Sequence, residues 1–498
     1  MKANIRTVGL TAESYEIPQV EVQCGPKGPG IFFNGLNATV ARDMLLRIVD
    51  AFRKSGLNMP GRKVTVNITP ADVAGDVTGY DLPVALALAA ASGQRKLPDL
   101  EKWVVLGELG REGEVRYVRG CLHALFSAVC ESTMGEDIKG VIIPKDAGRS
   151  VACVYDRQPI PVYGVSSLKE AVAVVQGKKT FPTIHDEYDA DPEPRKAASV
   201  WNTIGNNPGA LRAAQIAAAG GFPLLLAGDA EASRTISRAI VEILPDIYTW
   251  EATEIASAFS AAGKEPESPL LAMSRPWRAI EKGKSNEDNI VRGYAMRPGE
   301  IPLANHGVLH VEAGCPVQSK TAKTIRTAVE KGWIRIPHSK GSEYILQADF
   351  ILTVSAAAGN GRSLSEAVLS NPLHDLPAVQ AFVREENPSH GVPVPRKGED
   401  AASVQKRIQK AHEIQLRRSG GKVNGRLYDD QVEKTFTFED GVQQLVRELI
   451  RRTGLDESEY LRILRIAGTV ADLDGKDTVD RAAVSEAVAY RFADTKNH

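Results

Sequence analysis

Apolar positions recur along this chain at two spacings, and the spacing changes with position. Residues 39–55 carry Ala41, Leu45, Ile48, Val49 and Phe52 at helical intervals and stop before Gly56, which predicts an amphipathic helix. Residues 20–22 and 63–68 alternate apolar with polar, as half-buried strands do. Residues 81–91 form a nearly continuous apolar run ending before Ser92-Gly93, long enough for a buried helix and too short to cross a bilayer. Short apolar stretches at 104–106, 140–144, 224–228, 307–311 and 350–355 read as buried strands. Beyond about residue 400 the period is helical to the end, with segments at 401–418, 438–453, 458–473 and 481–490. Strands alternating with helices predict an α/β fold with a mainly parallel sheet.

The 498 residues correspond to about three domains at roughly 100–200 residues each. The expected divisions are an α/β domain over 1–178, an acidic linker over 179–197, a second α/β block over 198–390 and a helical region over 391–498. Residues 180–195 hold three prolines and five acidic side chains with little apolar periodicity, the composition of a solvated connector. Sixty-one basic and sixty-two acidic residues leave a net charge of -1. A chain-wide polycation is thereby excluded, and nucleic-acid contact would need a local patch. Five scattered cysteines without a C-x-x-C pair fit a reducing cytoplasm. No apolar leader segment follows Met1, so no signal peptide and no membrane partner are expected.

A strand that turns directly into a helix is where a phosphate-binding loop belongs. That loop reads G-x-x-x-x-G-K-[ST]: its glycines let backbone N–H groups wrap phosphates, its Lys reaches the outer phosphates and its hydroxyl holds Mg²⁺. Here the segment is Gly228-Asp229-Ala230-Glu231-Ala232-Ser233-Arg234-Thr235. Gly228, a cation and Thr235 are in register, whereas Ser233 replaces the second Gly and Arg234 replaces Lys. The planar Arg fork is no substitute for a compact ammonium. Asp229 and Glu231 add two carboxylates. At about 5 Å and an effective dielectric near 20, each would oppose a phosphate charge by roughly 3 kcal/mol.

The flanking segments place this octapeptide. Gln215-Ile216-Ala217-Ala218-Ala219-Gly220-Gly221 precedes it, Ser274-Arg275-Pro276-Trp277-Arg278 follows, and Pro298-Gly299-Glu300-Ile301-Pro302-Leu303-Ala304-Asn305-His306-Gly307-Val308-Leu309 comes next. The ordered set resembles the magnesium-chelatase-like AAA+ family of the ComM/YifB type, which reads E-I-A-A-A-G-G, a P-loop, R-P-F-R and P-G-E-I-S-L-A-H-N-G-V-L-F-L-D-E. Val64–Asp72, Tyr80-Asp81-Leu82-Pro83 and Gly107-Glu108-Leu109 resemble the family's N-terminal segments, and residues 460–473 resemble its helical lid. The resemblance implies a ribosomal S5 domain 2-like (Lon protease-like) N-terminal domain, a P-loop AAA+ core and a C-terminal helical lid. It further implies ATP and Mg²⁺ as cofactors, a homo-oligomeric or mixed AAA+ ring, and DNA as a substrate in ComM-type members or porphyrin metallation in the chelatase relatives.

The departures from the family pattern fall on its catalytic positions. Walker B Asp-Glu corresponds to Glu312-Ala313; Glu312 retains a carboxylate for Mg²⁺ together with Thr235, but Ala313 has nothing to polarise the attacking water. The sensor-1 Asn aligns with Ala358, the arginine finger with Leu376, and the S-A-R of sensor 2 with Asp456-Glu457-Ser458. The expectation is a ComM/YifB-like, ATP-binding and DNA-processing protein with impaired or lost hydrolysis. The alternative is a pseudo-ATPase scaffold or ring partner, and a weaker one is a metal chelatase subunit.

A Lon-type dyad needs a Ser with a Lys in reach, and the matching stretch offers only Thr78. His306 and His310 lie about 13 Å apart on a strand at roughly 3.3 Å per residue, too far to share a metal, so structural roles are expected for both. Lys406, Arg407, Lys410, Arg417 and Arg418 form a basic stretch: a solvated helix face, or alternatively a DNA-contacting surface. Arg275 and Arg278 flank Trp277, for packing or as the lining of a ring pore.

Overall fold

The computed structural model describes residues 1–8, 18–26, 28, 30–69, 79–118, 121–122, 125, 137–148, 151–152, 160–178, 181–187, 199–262, 274–281, 291–292, 297–337, 343–357, 364–369, 371–384 and 398–491. Asp72, Thr78 and Ala358 fall outside these residues. The chain divides into two units. The first comprises Met1–Pro194, Tyr248–Ser274 and Val291–Pro298; the second comprises Arg195–Ile247, Arg275–Ile290 and Gly299–His498.

The first unit is built on a seven-stranded sheet. Its strands are β1 (Lys2–Arg6), β2 (Gln19–Cys24), β3 (Ile31–Asn34), β4 (Val64–Thr69), β5 (Trp103–Val105), β6 (Gly140–Pro144) and β7 (Val162–Val165), in the order β3-β4-β2-β1-β5-β6-β7. The β1–β2 and β2–β4 pairings are antiparallel and the rest are parallel. β2 exposes Gln19 and Gln23 and buries Val20, Val22 and Cys24, so the alternation seen in the sequence reports a one-faced strand. β6 is buried at all five positions, as a strand covered on both faces must be. Helices α1 (Ala38–Lys54), α2 (Asp81–Ala91) and α3 (Leu168–Val175) cover this unit. Asn37 caps α1 by accepting from Thr39 N–H, and every residue of α2 except Ala90 is buried.

Two segments depart from the expected division. Ile184, inside the expected connector, begins a short helix Ile184–Glu187 and is fully buried in the cluster with Val104, Leu122 and Val162. Thr183, His185, Asp186 and Glu187 around it are polar, so no apolar periodicity marks it in the sequence. Helix Thr249–Ala261, within the expected second block, places Ala256 in that same cluster.

The second unit holds an all-parallel sheet of β8 (Leu224–Gly228), β9 (Trp277–Ile280), β10 (Val308–Val311), β11 (Ile351–Ala356) and β12 (Val379–Val383), in the order β9-β10-β11-β8-β12. Helices α4 (Pro208–Gly220) and α5 (Ala230–Ala239) flank β8 in sequence. The C-terminal helices are α6 (Ala401–Ser419), α7 (Asp429–Thr435), α8 (Val442–Thr453), α9 (Glu457–Leu473) and α10 (Arg481–Arg491). They share one core with α4 through Ala214, Val404, Ile408, Ile463, Ala467 and Val484. The architecture is therefore mixed α/β, with a parallel sheet and a helical C-terminal region. No helix among the described residues is long and apolar enough to cross a membrane.

Candidate nucleotide site

β8 runs four buried residues to Gly228, whose φ is 138°. A Cβ at this position would lie 2.0 Å from the Val383 carbonyl oxygen, so only glycine fits between the two strands. Asp229 N–H donates to that same carbonyl at 3.0 Å. Asp229 is extended (φ -70°, ψ 127°), and α5 starts at the next residue.

One residue therefore separates strand from helix, where a phosphate loop needs several with open N–H groups. The Asp229 carboxylate accepts from Ala232 N–H at 2.8 Å. It occupies the helix N-terminus that would otherwise attract an anion. Ser233 is fully buried in the first turn, and its Oγ donates to the Asp229 carbonyl at 2.5 Å. Its backbone is helical, so a Cβ at the position of the pattern's second glycine meets no conformational strain. The hydroxyl of Thr235 is turned back onto the Glu231 carbonyl at 2.9 Å.

Arg234 is held from three sides. Its Nη1 donates to Glu312, its Nη2 to Glu281 at 3.1 Å, and its guanidinium lies 5.2 Å from the Trp277 ring centroid. Glu312 follows β10, with its N–H on the Ile280 carbonyl at 3.2 Å, and Glu281 follows β9. The parallel pairing of β9 with β10 brings the two carboxylates to one sheet edge. Glu281 was missed in the sequence; the available signal was an acid directly following β9, the strand that pairs with the one ending at the Walker B equivalent. Ala313 brings no polar group.

Behind this edge runs a chain of buried polar side chains. Trp277 Nε1 donates to Ser237 Oγ at 3.0 Å, Ser237 meets Thr353 Oγ1 at 2.7 Å, and Thr353 meets His310 Nδ1 at 3.0 Å. Burial, reinforced by the nearby Arg234 charge, drives the His310 pKa down to about 3, so the imidazole is neutral. It stacks on Trp277 at 5.9 Å between centroids. His306 is elsewhere engaged: its carbonyl accepts from Arg275 Nη1 at 2.8 Å, and Arg275 also donates to the Pro245 and Asp246 carbonyls. Arg278 is paired with Glu300.

The remaining aligned positions have local structural partners. Leu376, at the finger position, adjoins Asp375, whose carboxylate is held below its usual range by Arg326. Asp456 caps α9 by accepting from Glu459 N–H at 3.1 Å. Of the basic stretch on α6, Arg407 pairs with Glu399 and donates to Gln215, and Arg418 binds both oxygens of buried Asp472 at 2.8 Å. Lys406, Lys410 and Arg417 are exposed. In the first unit, Asp81 is fully buried at the start of α2, accepting from Arg47 and from Leu109 N–H. Burial raises its pKa to about 6 against the pull of Arg47.

Nucleotide and Mg²⁺ are suggested by resemblance, but these residues fit neither. The anion position is filled by a carboxylate, the hydroxyl is committed to a helix carbonyl, and the cation is neutralised by two acids.

Comparison with known proteins gives three consecutive matches. Residues 20–147 match subunit ChlI of Mg-chelatase, 201–368 match magnesium chelatase subunit ChlI, and 398–491 match the ChlI C-terminal region. The chain is 27% identical over 493 residues to an uncharacterised protein, YifB, of Salmonella typhimurium, covering 95% of this chain and 94% of the relative. It is 27% identical over 497 residues to YifB of Escherichia coli, with the same coverage. It is 26% identical over 491 residues to the competence protein ComM of Haemophilus influenzae, covering 95% and 94%.

Proposed function

We propose, from the premise that this chain belongs to the magnesium-chelatase-related family of YifB and ComM, that it acts as a pseudo-ATPase. It keeps the family architecture and serves as a scaffold or partner subunit in an AAA+ ring, without hydrolysing ATP. The reading is carried by the Asp229 carboxylate on the N-terminus of α5, one residue after β8. Arg234 between Glu312 and Glu281 and Ala313 at the water-polarising position add support. In-line attack on a γ-phosphate needs a metal, a positioned water and cations around the developing charge. This edge offers one cation, and two acids neutralise it.

Within the same reading, the domains run 1–178, 198–390 and 391–498 with 179–197 as linker, save that Ile184 and helix Thr249–Ala261 pack in the core of the first. The first is of the ribosomal S5 domain 2 type. Lys406, Lys410 and Arg417 are the solvent-facing cations through which a ring could meet DNA. Subunits of one ring can share groups, so an active partner would supply catalysis in a mixed assembly.

The test is ATP binding and steady-state turnover of the purified chain with Mg²⁺, with and without single-stranded and forked DNA. The expected result is no saturable turnover and no tight nucleotide complex under any of these conditions. Turnover that saturates with ATP and disappears in R234A would overturn the reading and make this edge an unusual catalytic site.

A further inference from the structure

We infer that the first unit carries a binding site for a small phosphomonoester, built from residues of that unit alone and independent of the reading of the nucleotide edge. A cavity of about 480 Å³ opens among the C-terminal end of α1, the turn after α2 and the outer face of α3. That volume suits a ligand of nucleoside size. Its walls bring together Arg95, Lys169 and Lys178, while Glu170 is the one carboxylate among the lining residues. The Glu170 carboxylate already accepts from Ser166 N–H at 2.7 Å. Among the described residues no acid is paired with any of the three cations. In a chain of net charge -1, such a cluster is a local anion attractor.

The donor set favours phosphate. Arg95 presents a fork and the two lysines present point charges. Ser55 and Ser167 line the same space, the Ser167 hydroxyl also accepting from Glu170 N–H at 3.3 Å. The floor is apolar: buried Leu57, with Val172 and Ala173 from α3, and half-buried Phe181 at the side. Cations around an apolar floor suit a phosphate attached to a ring-bearing body better than a bare anion. Arg95 keeps one N–H on the Gln94 carbonyl at 2.9 Å, which orients the guanidinium and leaves its remaining donors to the cavity.

Calorimetric titration of the full chain with AMP, adenosine and inorganic phosphate tests this. AMP is expected to bind, adenosine not to, and phosphate to bind at least tenfold more weakly than AMP. The affinity for AMP should fall with added salt, because the attraction is between exposed charges. The R95A/K178A variant should lose at least tenfold in AMP affinity, and K178E, altered at an exposed position, should do likewise. R234A should bind AMP as the parent does. No heat with AMP, or AMP binding untouched in R95A/K178A, would overturn the site. Binding lost in R234A instead would assign it to the nucleotide edge, and phosphate binding as tightly as AMP would remove the organic body from the proposal.

Discussion

Arg234 and His310 show how single residues have been redirected. The Arg234 side chain is 42% exposed between Glu281 at 33% and Glu312 at 22%, so solvent screens the pairs. R234A should cost about 1 kcal/mol, and the R234A/E312A double-mutant cycle should give a coupling of about 1 kcal/mol in urea unfolding. His310 behaves differently, because it is buried and neutral with its pKa lowered to about 3. Unfolding releases an imidazole that protonates near pH 6.5. The contribution of this residue is therefore complete above about pH 6.5 and is lost as pH falls from there toward 3. That depression corresponds to at most about 5 kcal/mol. H310N should flatten this acid limb of the stability profile relative to the parent while lowering stability at pH 7. A profile that keeps its slope in H310N would show that His310 does not titrate on unfolding.

At the scale of elements, much was legible and the exceptions have reasons. The apolar run at 81–91 is helix α2 to the residue, and the helical period at 458–473 is α9 less its first residue. The strand before Asp229 was legible too. The immediate start of α5 was not, because a P-loop pattern and an Asp-capped helix share the same glycine and hydroxyl positions. Only the geometry separates them. D229A should cost about 1 kcal/mol by uncapping α5, measured by chemical denaturation. The basic stretch on α6 was legible as a pattern and opaque as a set of roles. Arg418 serves Asp472, whose side chain is 1% exposed, and stacks over Phe436 at 4.7 Å. R418A leaves that carboxylate with Asn424 and should cost about 3–5 kcal/mol. K406A, on the open face, should fall within about 0.5 kcal/mol of the parent. Urea midpoints of the two variants would separate a structural cation from a surface one.

Over the whole molecule, a ligand that binds only the folded state stabilises it by about 2.7 kcal/mol at one hundred times its Kd. Millimolar ATP with Mg²⁺ should therefore leave the melting curve of the second unit where it was, since Asp229 already occupies the anion position. A midpoint that climbs with ATP concentration would refute this. The path of the chain has a consequence of another kind. The first unit is completed by Tyr248–Ser274 and Val291–Pro298, after the chain has already built part of the second. A ribosome adds roughly 5–20 residues per second, so the first unit waits on the order of 10 s for its last segments after Pro194 is made. For the first part of that interval, until residue 256 is made, cluster members such as Val104 and Val141 lack the cover of Ala256. Nascent chains stalled at residue 200 should be cut readily by added protease, and those stalled well beyond residue 300 should resist. The order of synthesis thus leaves the first unit's core open for part of the chain's own making.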